Sequence, residues 1–117
     1  MEKRIKNAIP KKKNEFRYHS TRVKTKRRSI RLKDHPTYVF MQEEDKFKYV
    51  QITHSKKIKK KSVVKLRRNP NPDDDRDSFY IKEIFTDIVT HFGKKRDGWK
   101  IDKKDERDIR KLDKEKR

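Results

Sequence analysis

The sequence predicts a small α+β protein with an antiparallel β-core, one or two helices and a basic N-terminal arm. Three observations carry this. Residues 35–55 hold two apolar, β-branched and aromatic runs, 37–41 and 47–53, on either side of the polar tip Glu43-Glu44-Asp45, which is the pattern of a β-hairpin. The other apolar residues gather between 36 and 92, with a smaller group at Trp99, Ile101, Ile109 and Leu112. A chain of 117 residues that is 28% hydrophobic and 49% charged has material for one small core and little more. The expected organisation is therefore a poorly packed arm over residues 1–30 and a single domain over 31–117.

Residues 1–14 read as a basic tail in which Pro10 limits any helix. In 15–34, Phe16 and Tyr18 sit among cations. They can stack on unpaired bases or anchor the arm to the core, and the sequence leaves both open. Residues 29–33 alternate and can add a strand. In the hairpin, Phe47, Tyr49 and Gln51 should face one way and Lys48, Val50 and Ile52 the other, with both faces partly covered. The tip lacks Asn-Gly or Asp-Gly, so a loop of three to five residues is expected.

A basic loop over 56–61 follows, then a strand over 62–68 with Val64 and Leu66 on one face and Lys65 and Arg67 on the other. Asn69-Pro70-Asn71-Pro72 and three Asp residues break regular structure. Those carboxylates lack the Gly and closing Glu of a calcium loop and read as a solvated turn. Residues 78–92 carry Ile81, Ile84, Phe85, Ile88, Val89 and Phe92 at helical spacing, so a short extended start and then a helix to about Phe92 is expected. Trp99 should pack on the body. Asp102 can cap a final helix over 103–115, acidic in its first turns and basic at its end. Only Ile109 and Leu112 can dock it, so it should be peripheral.

The net charge is +19 and is unevenly placed. Residues 1–35 carry fourteen Lys/Arg against three acids, and residues 56–68 carry eight against none. Such blocks suit a polyanion, because neutralising phosphates releases counterions. The candidate nucleic-acid contacts are Arg27, Arg28, Lys56, Lys57, Lys59, Lys60, Lys61, Arg67 and Arg68. The absence of Cys excludes disulfides and thiolate chemistry. No apolar run approaches the roughly 18 residues of a membrane span, and no apolar leader segment is present, so a cytoplasmic protein is expected.

Standard catalytic signatures are absent, the four histidines are far apart in sequence, and neither a metal site nor a cofactor is expected. The best constellation lies where the hairpin's outer ends should meet: His35, Thr53 and Ser55, with His54 beside them and lysines next in the chain. An imidazole there could deprotonate a 2′-OH while a cation steadies the phosphorane. The ordinary alternative is a strand end at His35 and a turn held by Thr53 and Ser55.

The order of a Pro-opened strand at His35-Pro36, a strand ending Thr53-His54-Ser55, a basic loop, an aromatic strand at Ser78-Phe79-Tyr80, and a closing helix after Gly93 resembles the PemK/MazF-like toxins over about residues 30–112. In that family an Arg precedes the Pro and a Thr-Ser pair ends the next strand. Here His35 stands in the first place, and His54 splits the pair. The resemblance implies an SH3-like barrel, metal-independent cleavage of single-stranded RNA by His35, Thr53 and Ser55, a homodimer, and an antitoxin as protein partner. The expected function is thus RNA binding, RNA favoured over DNA, with endoribonuclease activity of toxin type. The alternative is a non-enzymatic module that binds nucleic acid or a ribonucleoprotein, such as a mobile-element accessory protein or an inhibitor of a nucleic-acid enzyme.

Overall fold

The computed structural model describes residues 9–24, 30–58 and 60–115, with 21–24 and 30–33 as backbone. Among the described residues, six strands and one helix form a β-rich α+β core: β1 Lys11–Lys24, β2 Ile30–Glu43, β3 Lys46–Thr53, β4 Val63–Lys65, β5 Phe79–Ile81, β6 Phe85–Ile88 and α1 Lys103–Glu115. The strands run in the order β1-β2-β3-β5-β4, all antiparallel, and β6 also pairs with β3.

The hairpin is β2–β3. Its connection is tighter than expected: Glu43 pairs with Lys46, and Glu44 takes φ +55° in a two-residue turn. The two faces divide as the alternation predicts. Tyr38, Phe40, Val50 and Ile52 enter one buried cluster, and Val39, Phe47 and Tyr49 enter a second. A bulge at Phe40 then turns Met41 onto the first cluster as well. The register slips between Val39 and Met41 against β3, and Lys13-Asn14 oppose Phe40 alone on the β1 side.

Two expectations fail. The arm is not poorly packed over 11–24, where a strand pairs along the whole of β2 and buries Phe16 and His19. Alternating cations hid this strand, since Phe16 and His19 are the buried side chains among its described ones. Residues 78–92 are not helical beyond the single 3₁₀ turn Val89–His91. The outer edge of β3 is open, and β-branched and aromatic residues fit a pleated surface. So β6 takes its first half, Tyr49 opposite Phe85, and β5 its second, Thr53 opposite Phe79. Paired ladder bonds with β3 outweigh a helical stripe that could bury only one side.

Helix α1 begins where expected. Asp102 accepts the Lys104 N–H at 2.8 Å as its cap. The helix is better docked than two apolar residues suggest. Ile109 is fully buried with Tyr38 and Phe40. Buried Asp105 accepts the Arg67 backbone N–H and a guanidinium N–H, both at 2.8 Å. Arg110 donates to the carbonyls of Lys13 at 2.8 Å and Phe40 at 2.9 Å, both residues of the bulge. The bulge leaves those oxygens outside the ladder, and the helix satisfies them.

Candidate nucleic-acid interface

The hairpin-end constellation is not assembled by the strands. The β2–β3 ladder ends at Thr37 opposite Gln51. His35 is opposite His19 on β1, and Thr53 is opposite Phe79 on β5. Among the described residues no hydrogen bond joins His35 to Thr53 or Ser55. Thr53 Oγ1 accepts the Ser55 N–H at 3.1 Å, and Ser55 Oγ donates to the Lys57 carbonyl at 2.7 Å, the turn of the ordinary alternative. His54 instead faces the acidic loop: its Nδ1 is 3.0 Å from the Asp77 carbonyl and its Nε2 is 3.4 Å from Asp74.

That loop is built on its own side chains. Asn69 accepts from the Asn71 N–H and Asn71 from the Asp73 N–H, each at 3.0 Å. Arg76 clamps Asp74 at 2.7 Å, and its hydrogen bonds hold the Asp74 carboxyl well below the usual range.

The expected phosphate contacts divide into three groups. Arg27, Arg28 and Lys59 lie outside the described residues. Lys56, Lys57, Lys60 and Arg68 are exposed in turns. Lys61 pairs with Glu83 at 2.6 Å, and Arg67 pairs with Asp105, so both charges are already engaged inside the molecule. Arg67 and Arg68 also line a hollow with Asp74, Asp75 and Asp77, which weakens its field for an anion.

A different surface is more coherent. Helix α1 turns Lys103, Arg107, Lys111 and Lys114 outward along one stripe, at i, i+4, i+8 and i+11. Among the described residues none of the four is ion-paired. Together with Lys12 of β1 they line a groove of about 590 Å³, whose one acid, Glu106, is held by Arg110 at 3.0 Å. A second hollow shares Lys103 and Glu106 with the groove and adds Arg96, Trp99 and Lys100. A third shares Arg96 with the second and adds Lys94 and Tyr18. Through these shared lining residues the three hollows adjoin as a furrow from α1 to Tyr18, in which Asp97 is a second acid.

Aromatic rings sit at its far end. Arg96 lies 5.4 Å over Tyr18 and 5.5 Å over Trp99. Trp99 packs on buried Phe16 at 5.7 Å, as expected for a residue docked on the body. Tyr18 keeps 36% of its surface. Of the two aromatics left open by the sequence, Phe16 is core, and Tyr18 is partly exposed with its ring against Arg96 and Trp99. The furrow was partly legible: Asp102 and the buried pair Ile109 and Leu112 set the helix phase, and that phase orders the cations outward.

The structure also gathers residues that sequence distance had separated. His19, Asp87 and His91 meet beside β6. His19 Nε2 is 2.7 Å and His91 Nδ1 is 2.9 Å from the same oxygen, Asp87 Oδ2. Burial pushes the Asp87 carboxyl up, but hydrogen bonds from His91, His19 and the Ile88 N–H outweigh it and hold it below its ordinary value. The i, i+4 spacing of Asp87 and His91 was the one signal present in the sequence.

No protein-family model, curated protein or solved structure matches the chain. Among the described residues no helix is long and apolar enough to cross a membrane.

Proposed function

We propose that the protein is a non-enzymatic module that binds single-stranded nucleic acid, RNA in preference to DNA, along the furrow beside α1. The observation that carries this is the stripe of Lys103, Arg107, Lys111 and Lys114, continuous with Lys100, Arg96 and exposed Tyr18. At 1.5 Å rise per residue the stripe runs roughly 16 Å. A backbone of phosphates can track it while a base stacks on Tyr18. Lys56, Lys57 and Lys60 add general attraction but no groove.

The same reading takes the core as an opened SH3-like barrel. What supports it is the return of the chain after β6 to the free edge of β1, where the Gly93 N–H donates to the Tyr18 carbonyl at 2.8 Å and the Arg96 N–H to the Phe16 carbonyl at 2.7 Å. Cleavage by His35, Thr53 and Ser55, with the homodimer and antitoxin that the toxin resemblance implies, is the rival reading, and among the described residues no hydrogen bond joining His35 to Thr53 or Ser55 supports it.

The test uses labelled single-stranded RNA and duplex DNA on native and denaturing gels. The proposal expects intact RNA in a shifted band, weakened by K103E/R107E/K111E and by Tyr18→Ala. RNA fragments that persist in EDTA and disappear in His35→Ala would replace it with the ribonuclease reading.

A further inference from the structure

Three side chains from separate segments converge on one point at the edge of the second buried cluster. His19 comes from β1, Asp87 from β6 and His91 from the 3₁₀ turn that follows. One ligating atom of each lies within 4.8 Å of the others, and His19 Nε2 and His91 Nδ1 lie 2.7 and 2.9 Å from Asp87 Oδ2. We propose that these three atoms form a binding site for a divalent transition ion of the zinc class, with one position left to water.

The donor set decides the class. Two imidazoles and one carboxylate suit zinc, cobalt or nickel, whereas magnesium and calcium take oxygen ligands. Three protein ligands with a solvent-facing fourth position are the pattern of an open zinc site.

The surroundings act as an outer shell. The other ring nitrogen of His19, Nδ1, faces the Tyr49 hydroxyl at 3.4 Å. The other oxygen of Asp87, Oδ1, accepts the Ile88 N–H at 2.7 Å. Such partners fix ligand orientation and tautomer. Tyr49 and Phe92 wall the His19 ring at 4.9 and 4.7 Å between centroids. Side-chain exposure rises from 3% at His19 through 28% at Asp87 to 50% at His91, so the site is anchored inside and open at one side. Without an ion, both imidazoles donate to Asp87 Oδ2. With one, His19 must present the Nε2 lone pair and carry its proton on Nδ1, where the Tyr49 oxygen accepts it. The site does not depend on whether the furrow binds nucleic acid.

The experiment is zinc titration of the untagged full chain against a chromophoric chelator, with Co²⁺ absorption as a geometry readout. The expected result is one tightly held zinc per chain, an affinity loss of at least about 10-fold in His91→Ala, and no loss in His35→Ala or His54→Ala. His91 is half exposed, so its variant should fold, and circular dichroism checks this. Nitrogen-15 spectra of the wild-type imidazoles provide a second measurement that needs no variant: zinc should move the His19 proton from Nε2 to Nδ1. Absence of zinc at one per chain, equal binding by His91→Ala, or an unmoved His19 tautomer in the zinc-loaded chain would each overturn the site.

Discussion

Asp105 shows how a single residue is used twice. Its carboxylate accepts a backbone and a side-chain N–H from Arg67 and so ties the chain after β4 to α1. Asp105→Ala leaves a buried N–H without its partner and should cost roughly 1–3 kcal/mol in denaturant unfolding. Ser78 is the opposite case: among the described residues its Oγ is the buried side-chain polar atom with no partner. Ser78→Ala should therefore be neutral or stabilise by up to about 1 kcal/mol in the same assay. The phenols make a pH prediction. Tyr49 and Tyr80 are each pushed up to about 12, by burial first and then by nearby carboxylates. Their folded values exceed the unfolded value of about 10, so the stability they contribute is present below about pH 10 and is lost as pH rises through their folded values. Phenolate absorbance from these residues should rise together with loss of circular dichroism, rather than before it. At this scale the sequence disclosed the local devices, such as the Asp102 cap and the acidic-to-basic order of α1. It did not disclose His19 beside His91, because that pairing exists only once the chain after β6 returns to the free edge of β1.

Among the elements, the hairpin and α1 were legible because each has a local signature: alternating apolar residues around a turn, and a cap followed by an acidic-to-basic gradient. Residues 78–92 were misread for the converse reason. Their apolar spacing fits a helix, but β3 offers an unpaired edge, and Tyr49 and Thr53 recruit the segment as two short strands. Strand β1 was missed because its solvent side is cationic and its partner lies across an intervening basic stretch. The bulge at Phe40 links these elements to the furrow. Arg110 bonds the two carbonyls that the bulge leaves out of the ladder, and Lys cannot span both with one point charge. Arg110→Ala should cost roughly 2–4 kcal/mol through two unsatisfied carbonyls, and Arg110→Lys should recover only part of it. Because Arg110 sets the seat of α1, either variant should also weaken RNA binding at salt concentrations where the fold persists.

Over the whole molecule, charge alone pointed to a polyanion but not to a surface. The densest cationic run in the described chain, 56–68, has part of its charge engaged by Glu83 and Asp105 and borders the acidic loop. The run around α1, only moderately basic in net terms, becomes the coherent surface because two of the helix's acids are buried and Glu106 is held by Arg110, leaving Asp108 and Glu115 as its exposed acids. Asp105 and Asp113 turn inward, while Lys103, Arg107, Lys111 and Lys114 turn out. The measurement that tests this most directly is the salt dependence of single-stranded RNA affinity, by fluorescence anisotropy, for the wild type and two triple variants. Removing the furrow cations as K103Q/R107Q/K111Q should flatten the slope of log affinity against log salt by about 2, at roughly 0.7 per phosphate contact. Removing the loop cations as K56Q/K57Q/K60Q should leave the slope nearly unchanged. A slope that falls with the loop variant and not with the furrow variant would contradict the account.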